Sequence, residues 1–271
     1  MPEWPDLHVI RARLAPALAG RRVQGVKVGD PVVLRSARPP EDVLFGRTFG
    51  AVAHRGKFLV FELDGVTMVV NPMLSGLFEL QGASAKGAKD LRLTVALDDG
   101  RALRYRDDTR MGKVYLLEGA GPETVPGYAG QGPEAFEIAP ADLARRARAR
   151  GGDVRNLLMD QRVLAGIGNA YADEILHDAR IHPKRAVRTL AADELRALAD
   201  SVHRVLARAI DEVDAAMPPE LGTKPRGHMK VRGREGKPCP RCGAPIKRTR
   251  KGDDETYLCT TCQPPPKGQL V

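Results

Sequence analysis

All four cysteines of this 271-residue chain lie towards its C-terminal end, as Cys239-Pro-Arg-Cys242 and Cys259-Thr-Thr-Cys262, with sixteen residues between the pairs. Four thiolates at this spacing can meet around one tetrahedral, structural Zn²⁺. Two disulfides are the alternative, which suits small secreted domains better than a long chain without an apolar leader. At the opposite end stands Met1-Pro2-Glu3. Proline is small enough for the initiator methionine to be removed, which would leave Pro2 a secondary α-amine with an unperturbed pKa of about 7.7 to 8.0. Such an amine can attack an aldehyde-like sugar carbon and form an iminium. Glu3 beside it could move protons to and from a sugar ring. Many chains begin Met-Pro with no catalytic role, so the dipeptide alone leaves both readings open.

A third feature is Leu164-Ala-Gly-Ile-Gly-Asn-Ala-Tyr-Ala-Asp-Glu-Ile-Leu176, which sets Gly166 and Gly168 just before a helix with Asn169 as the expected N-cap. Glycines let a backbone approach another chain closely, and helix N-terminal amides favour an anion such as phosphate. An ordinary tight helix-helix turn is the alternative. From Lys224 to Lys251 the chain carries eleven Lys or Arg against the single acid Glu235, within a net charge of +9 and a pI near 9.6. Such a run is often just a solvated face, but next to a zinc finger it points to a phosphate backbone.

The elements that must position these groups follow from periodicity. Asp6 to Leu18 carries Leu7, Ile10, Leu14 and Leu18 at helical spacing, behind Pro5 and a possible Asp6 cap. Strand-like runs follow at Val23 to Val28, Phe58 to Leu63, Thr67 to Val70, Leu91 to Leu97, Leu103 to Arg106 and Lys113 to Leu117. Asp64-Gly65 and Asp99-Gly100 are turn signals between them, and a β-sandwich or barrel fits the intervals. The Gly- and Pro-rich stretch from Gly119 reads as a linker. Helices are expected over Pro140 to Arg150, Val154 to Leu158, Ala170 to Ala179 and Ala192 to Ala215, the last stopped by Pro218-Pro219. The reading is therefore α+β: an N-terminal domain over 1–118, a linker over 119–133, a helical domain over 134–225, a finger over 226–265 and a tail over 266–271. No apolar run approaches the roughly eighteen to twenty residues of a membrane span.

Taken in order, Pro2-Glu3, a β-rich domain, the glycine turn in a helical domain and a terminal four-cysteine finger resemble the formamidopyrimidine-DNA glycosylase and endonuclease VIII family along essentially the whole chain. The strongest stretches are Met1-Pro-Glu-Trp-Pro-Asp6, His54-Arg-Gly-Lys-Phe-Leu59, Leu158-Met-Asp160 through Glu174, Ile181-His-Pro183, and the two cysteine segments. The resemblance implies an N-terminal β-sandwich behind a leading helix, a helix-two-turn-helix domain and a C-terminal four-Cys zinc finger. It also implies a bifunctional DNA glycosylase and abasic-site lyase that removes oxidised bases from duplex DNA through an N-terminal proline iminium and β/δ-elimination.

By the same resemblance Pro2 is the nucleophile, Glu3 the acid/base and Lys57 the phosphate-contacting lysine that assists catalysis. Gly168 and Asn169 belong to the phosphate-binding turn. Leu74, Arg110 and Met111 are in position to fill the space left by the extruded nucleotide; for Leu74 and Met111 core packing is the alternative. One Zn²⁺ on Cys239, Cys242, Cys259 and Cys262 is implied, as are a monomer and a cytoplasmic, nucleoid-associated location. The sequence also departs from the family pattern. Where the family finger presents an arginine shortly before its third cysteine, this chain reads Gly252-Asp-Asp-Glu-Thr-Tyr-Leu-Cys259, so either Arg248, Arg250 or Lys251 takes over the DNA contact or the finger meets DNA differently. Asn71-Pro72 replaces His-Leu, Met111 an aromatic wedge, and Asp6 a glutamate. A noncatalytic or lyase-only relative that binds damaged or abasic DNA is the alternative function. A third reading, an RNA-associated zinc protein, leaves Met-Pro-Glu unexplained.

Overall fold

The computed structural model describes residues 1–252 and 254–266; Asp253, the side chain of Lys251 and residues 267–271 lie outside the described residues. The chain forms two compact units, Met1–Gly130 with Val213–Pro225, and Gln131–Glu212 with Arg226–Val271. Among the described residues, no helix is long and apolar enough to cross a membrane.

The first unit opens with α1 (Trp4–Leu18), which starts before the expected Asp6 cap. Glu3 is the N-cap and Asp6 the third helical residue, and they form a reciprocal capping box: the Glu3 side chain accepts from the Asp6 amide, and the Asp6 carboxylate accepts from the Glu3 amide at 2.8 Å. Pro5 is tolerated in this first turn because the amide it lacks would be unsatisfied anyway. Leu7, Ile10, Leu14 and Leu18 are all buried, as their spacing predicts.

Two sheets follow. One has the order β1 (Val23–Val28), β7 (Leu91–Leu97), β8 (Arg101–Arg106), β6 (Leu77–Gly82); the other has β2 (Leu34–Arg35), β9 (Lys113–Glu118), β5 (Val66–Asn71), β4 (Phe58–Leu63), β3 (Phe49–Arg55). Their inner faces meet: Met68, Val70 and Val114 of the second sheet and Phe78, Leu93, Val95, Leu103 and Tyr105 of the first enclose a gap of only about 10 Å³. A gap of that size leaves the core dry. The strand-like runs expected from the sequence omit β3 and β6. In β3 the register shifts between Phe49 and Val52, which breaks the alternation. β6 does alternate, with Phe78 buried on one face and Glu79 on the other paired with Arg106 of β8 at 2.6 Å, so this strand is legible in the sequence.

The second unit holds α3 (Pro140–Ala149), α4 (Val154–Met159), α5 (Asn169–Ala179) and most of α6 (Ala192–Ala216), packed around Leu158, Leu164, Ile175, Leu198, Val202 and Leu206. The finger hairpin, β10 (Lys247–Lys251) and β11 (Asp254–Leu258), belongs to this unit. Residues 213–225, read from the sequence as the end of the helical domain, cluster with the first unit instead. Backbone bonds from Leu80 N–H to Glu220 and from Gly222 N–H to Phe78 add this segment to the edge of β6. Arg13 of α1 donates to the carbonyls of Met217 (2.8 Å) and Pro218 (3.0 Å).

Candidate functional site

In the first unit the N-terminus meets the tip of the β3–β4 hairpin. Gly56, at φ +53, occupies the first central position of the two-residue turn between Arg55 and Phe58, and Lys57 the second. This places Lys57 inward and only 9 % exposed, beside the buried Glu3. Burial pulls the Lys57 ammonium below the ordinary lysine range, and the Glu3 charge pulls it back up. Pro2, which precedes Glu3, is also buried.

Behind this group lies an aromatic cluster that sequence reading did not single out. Trp4 stacks on His8 at 4.9 Å, and His54 meets both edge-on, at 5.1 Å from Trp4 and 5.6 Å from His8. Burial, then His8 and Arg11, push His54 down to about 4, so its ring is neutral. Its Nδ1 has no hydrogen-bond partner among the described residues. The cluster joins the first turn of α1 to the strand that carries the Lys57 hairpin.

Leu74, Arg110 and Met111 sit on two loops of the same unit. Leu74 is 49 % and Met111 42 % exposed, which excludes core packing for both. Asp107, fully buried, ties the loops together: its carboxylate accepts from the Ser75 hydroxyl of one loop and from the Thr109 hydroxyl (2.9 Å) and Gly112 amide (2.7 Å) of the other. Burial raises the Asp107 carboxyl, but those hydrogen bonds outweigh it and hold the group below the usual carboxylate range. The buried Tyr105 hydroxyl fits between the loops only because Gly76 and Gly112 lack a Cβ, which would stand 2.5 and 1.9 Å from it. Met73 (φ +48) and Arg110 (φ +59) are both left-handed, one in each loop. The sequence signal for Asp107 was weak: an acid a few residues before the candidate wedge.

The glycine turn belongs to the second unit. Gly168 is the N-cap of α5 and Asn169 its first helical residue, one position from the expected cap; Gly168, with φ −130, supplies the extended geometry an N-cap needs. Asn169 is exposed at this helix start. Gln161 holds the turn in shape, donating through Nε2 to the carbonyls of Met159 and Ile167, both at 2.8 Å, and accepting from the Gly166 amide at 2.9 Å. Gly166 itself is at φ +99.

The four cysteine sulfurs lie within 4.8 Å of one another, with Cys242 to Cys259 at 3.4 Å and Cys239 to Cys262 at 3.9 Å. None is in a disulfide. A zinc ion with Zn–S bonds of about 2.3 Å needs sulfur–sulfur edges of about 3.8 Å, so the set fits one structural Zn²⁺. Gln263 braces it by accepting from the Cys259 amide at 3.0 Å and donating to Ile181 O at 2.9 Å. His177 of α5 places Nε2 3.3 Å from Cys239 Sγ.

Residues 1–114 match the formamidopyrimidine-DNA glycosylase N-terminal domain, 130–217 the formamidopyrimidine-DNA glycosylase H2TH domain, and 236–265 the zinc finger found in FPG and IleRS. The chain belongs to the formamidopyrimidine-DNA glycosylase family. It is 37 % identical to the formamidopyrimidine-DNA glycosylase of Geobacter sulfurreducens, over 97 % of this chain and 100 % of that one. With that of Symbiobacterium thermophilum it shares 35 %, over 99 % of this chain and 91 % of the relative. The fold superposes on crystalline MutM (Fpg) from Thermus thermophilus with a TM-score of 0.84 and 32 % identity, over 97 % of this chain and 98 % of that one. It also superposes on Lactococcus lactis Fpg in complex with abasic-site DNA, with a TM-score of 0.86 and 25 % identity, over 97 % and 100 % of the two chains. As a member of this family the protein is a base-excision repair DNA glycosylase with the abasic-site lyase activity characteristic of it.

Against the family pattern, the acidic finger segment has a clear structural use. Asp254 is paired with the buried Arg155 of α4, and Glu255 accepts from Arg155 and Arg232 through its carbonyl and from Arg248 through its carboxylate. These two acids therefore neutralise arginines of their own unit; Asp253 lies outside the described residues. Much of the basic run is likewise engaged by protein. Arg232 pairs with Asp173 and lies over Tyr257 at 4.9 Å, Arg241 caps α5 at His177 O, Arg248 pairs with Glu235 at 2.9 Å, and Arg250 donates to Gly252 O at 2.8 Å.

Proposed function

We propose that Pro2, freed of Met1, is the nucleophile, with Glu3 as its acid/base and Lys57 as the cation that steadies the adjoining phosphate. The observation that carries this reading is Lys57, almost buried and within reach of the buried Glu3 charge at the start of α1. A lysine desolvated there keeps its charge only with an anion beside it, and a DNA phosphate would supply a second one.

The neutral Pro2 amine attacks the deoxyribose C1′, the glycosidic bond breaks, and the damaged base leaves with a proton. Opening of the sugar ring converts the adduct to an iminium, with Glu3 delivering a proton to the ring oxygen. Loss of a C2′ proton then expels the 3′ phosphate, and a second elimination expels the 5′ phosphate. Reaching C1′ requires the nucleotide to leave the stack, at a cost of a few kcal/mol that is lowest for damaged or poorly paired bases. Leu74, Arg110 and Met111, exposed on loops joined through Asp107, are the residues proposed to enter the vacated space. Asn169 and the α5 N-terminus take a phosphate of the same duplex, with Arg248 and Arg250 as finger contacts.

The substrate is double-stranded DNA with oxidised bases or abasic sites, in line with relatives crystallised on Fapy-dG and abasic DNA. The protein acts as a monomer in the cytoplasm, at the nucleoid. Borohydride trapping on duplexes with an abasic site or an oxidised guanine, with intact mass spectrometry, is the test. Covalent adducts on both, mapped to Pro2 with Met1 absent, are expected. Adducts that persist after Pro2→Gly together with a blocked N-terminus would refute Pro2 as nucleophile, and binding without any adduct would leave a damaged-DNA binder.

A further inference from the structure

Arg110 is held by a residue outside the two wedge loops. Its Nε pairs with Asp30 Oδ2 at 2.7 Å, the arginine side chain 58 % exposed and the aspartate only 14 %. The largely buried acid thus anchors the exposed arginine. Asp30 is anchored twice more: Oδ1 accepts from the Val32 amide at 3.1 Å, capping the short Pro31–Val33 turn, and Arg92 Nη1 stands 3.6 Å from Oδ2. Arg92 Nε in turn donates to Asp107 O at 2.7 Å, which ties Asp30 to the residue that joins the wedge loops. The backbone of Arg110 is pinned as well, at φ +59 in the left-handed region that non-glycine residues rarely enter.

A guanidinium gripped through Nε still presents both terminal NH₂ groups in one plane, a rigid fork for paired acceptors. We propose that Asp30 is a positioning residue: it aims the NH₂ edge of Arg110 at the unpaired base opposite the lesion, and so sharpens discrimination among the four bases there. This rests on the reading of Arg110 as a residue that enters the opened duplex. A freely rotating arginine can adapt to many acceptor patterns and must be ordered at every encounter. A fixed fork accepts few patterns and is already ordered.

The test is single-turnover excision of a formamidopyrimidine-deoxyguanosine placed opposite dA, dC, dG or dT, with wild type, Asp30→Asn, Arg110→Ala and the double variant. Asp30→Asn keeps an acceptor for the Val32 amide and removes the charge; Asp30→Ser, which also keeps an acceptor, is the second probe. The expected result is a fall of about threefold or more in the best-to-worst ratio for either Asp30 variant, within the range of couplings between residues in contact. Trapping on abasic DNA should be retained, and no further change should occur when Asp30→Asn is added to Arg110→Ala. If Arg110→Ala changes the ratio and the Asp30 variants do not, the positioning role is wrong and the wedge reading stands. An equal Asp30→Asn effect with and without Arg110 also overturns it. If Arg110→Ala leaves the ratio unchanged, the wedge reading itself fails.

Discussion

Arg155 of α4 and Asp254 of the finger hairpin form one charged clasp: Arg155 Nη1 lies 3.0 Å from Oδ1 and 2.8 Å from Oδ2, while Arg155 Nε pairs with the buried Asp173 of α5 at 2.9 Å. The Arg155 side chain is fully buried, and its Nη2 donates to Glu255 O at 2.9 Å. The acid in the segment where the family carries an arginine therefore serves as a bolt between hairpin and helix. Arg155→Ala leaves Asp173 buried with one cation fewer, and a loss of about 3 kcal/mol or more is expected. Asp254→Asn should cost much less, since that carboxylate is 44 % exposed. Asp254→Arg should destabilise the finger by placing like charges together rather than improve DNA binding. Denaturant unfolding of the zinc-loaded chain and the rate of zinc release to a chelator check all three.

Lys57 should be maintained for chemistry at the expense of stability. Burial disfavours the Lys57 ammonium more than the Glu3 charge favours it, and Glu3 keeps its bond from the Asp6 amide, so Lys57→Met is expected to keep or raise the thermal midpoint. The same variant should lower the rate of trapping on abasic DNA by about a hundredfold or more, the scale of a lost catalytic group. A loss of both stability and trapping would make Lys57 a structural residue.

Acid should loosen the first turn of α1 through His54. The folded pKa of about 4 lies below the ordinary 6.5, so this group's contribution is complete above pH 6.5 and is lost as pH falls towards 4. Between pH 7 and 5 the loss amounts to about 2 kcal/mol. His54→Phe keeps a ring beside Trp4 and His8 and removes the titration. Urea unfolding at both pH values should therefore show a smaller pH dependence for the variant by that amount; equal dependence would exclude His54 as the source.

Gln161 should matter for DNA through the shape of the glycine turn. Truncation to Ala leaves the Gly166 amide and two carbonyls without their partner, at a cost of about 1 to 3 kcal/mol. Binding to intact and abasic duplexes should weaken by the same factor, because a phosphate contact carries no lesion information. A Gln161→Ala variant that weakened only lesion binding would place Gln161 at the damaged base instead.

Much of the candidate site was readable before any fold was known. Pro2-Glu3 and the paired CxxC segments are local patterns whose chemistry depends on residue type and short spacing, as are the helix periodicities of α1, α5 and α6, while Lys57 followed only from the family resemblance. β3 was not readable, because a register shift erases the alternation on which strand recognition rests, whereas β6, with Phe78 and Leu80 alternating with Glu79 and Gln81, does carry the strand pattern.

The chain's residue types and local spacing determined the zinc ligands, the β-then-helical order and the family membership. Tertiary structure decided how the charges are used. The sequence shows an acidic finger segment, a basic run and an aspartate before a loop only as charges along a line. Which of them neutralise one another depends on contacts such as Arg155 with Asp254, Asp30 with Arg110 and Asp107 with Ser75. Those partners lie 99, 80 and 32 residues apart. Coulomb and hydrogen-bond energies act over a few ångströms, so such pairings exist only once folding has closed the intervening chain.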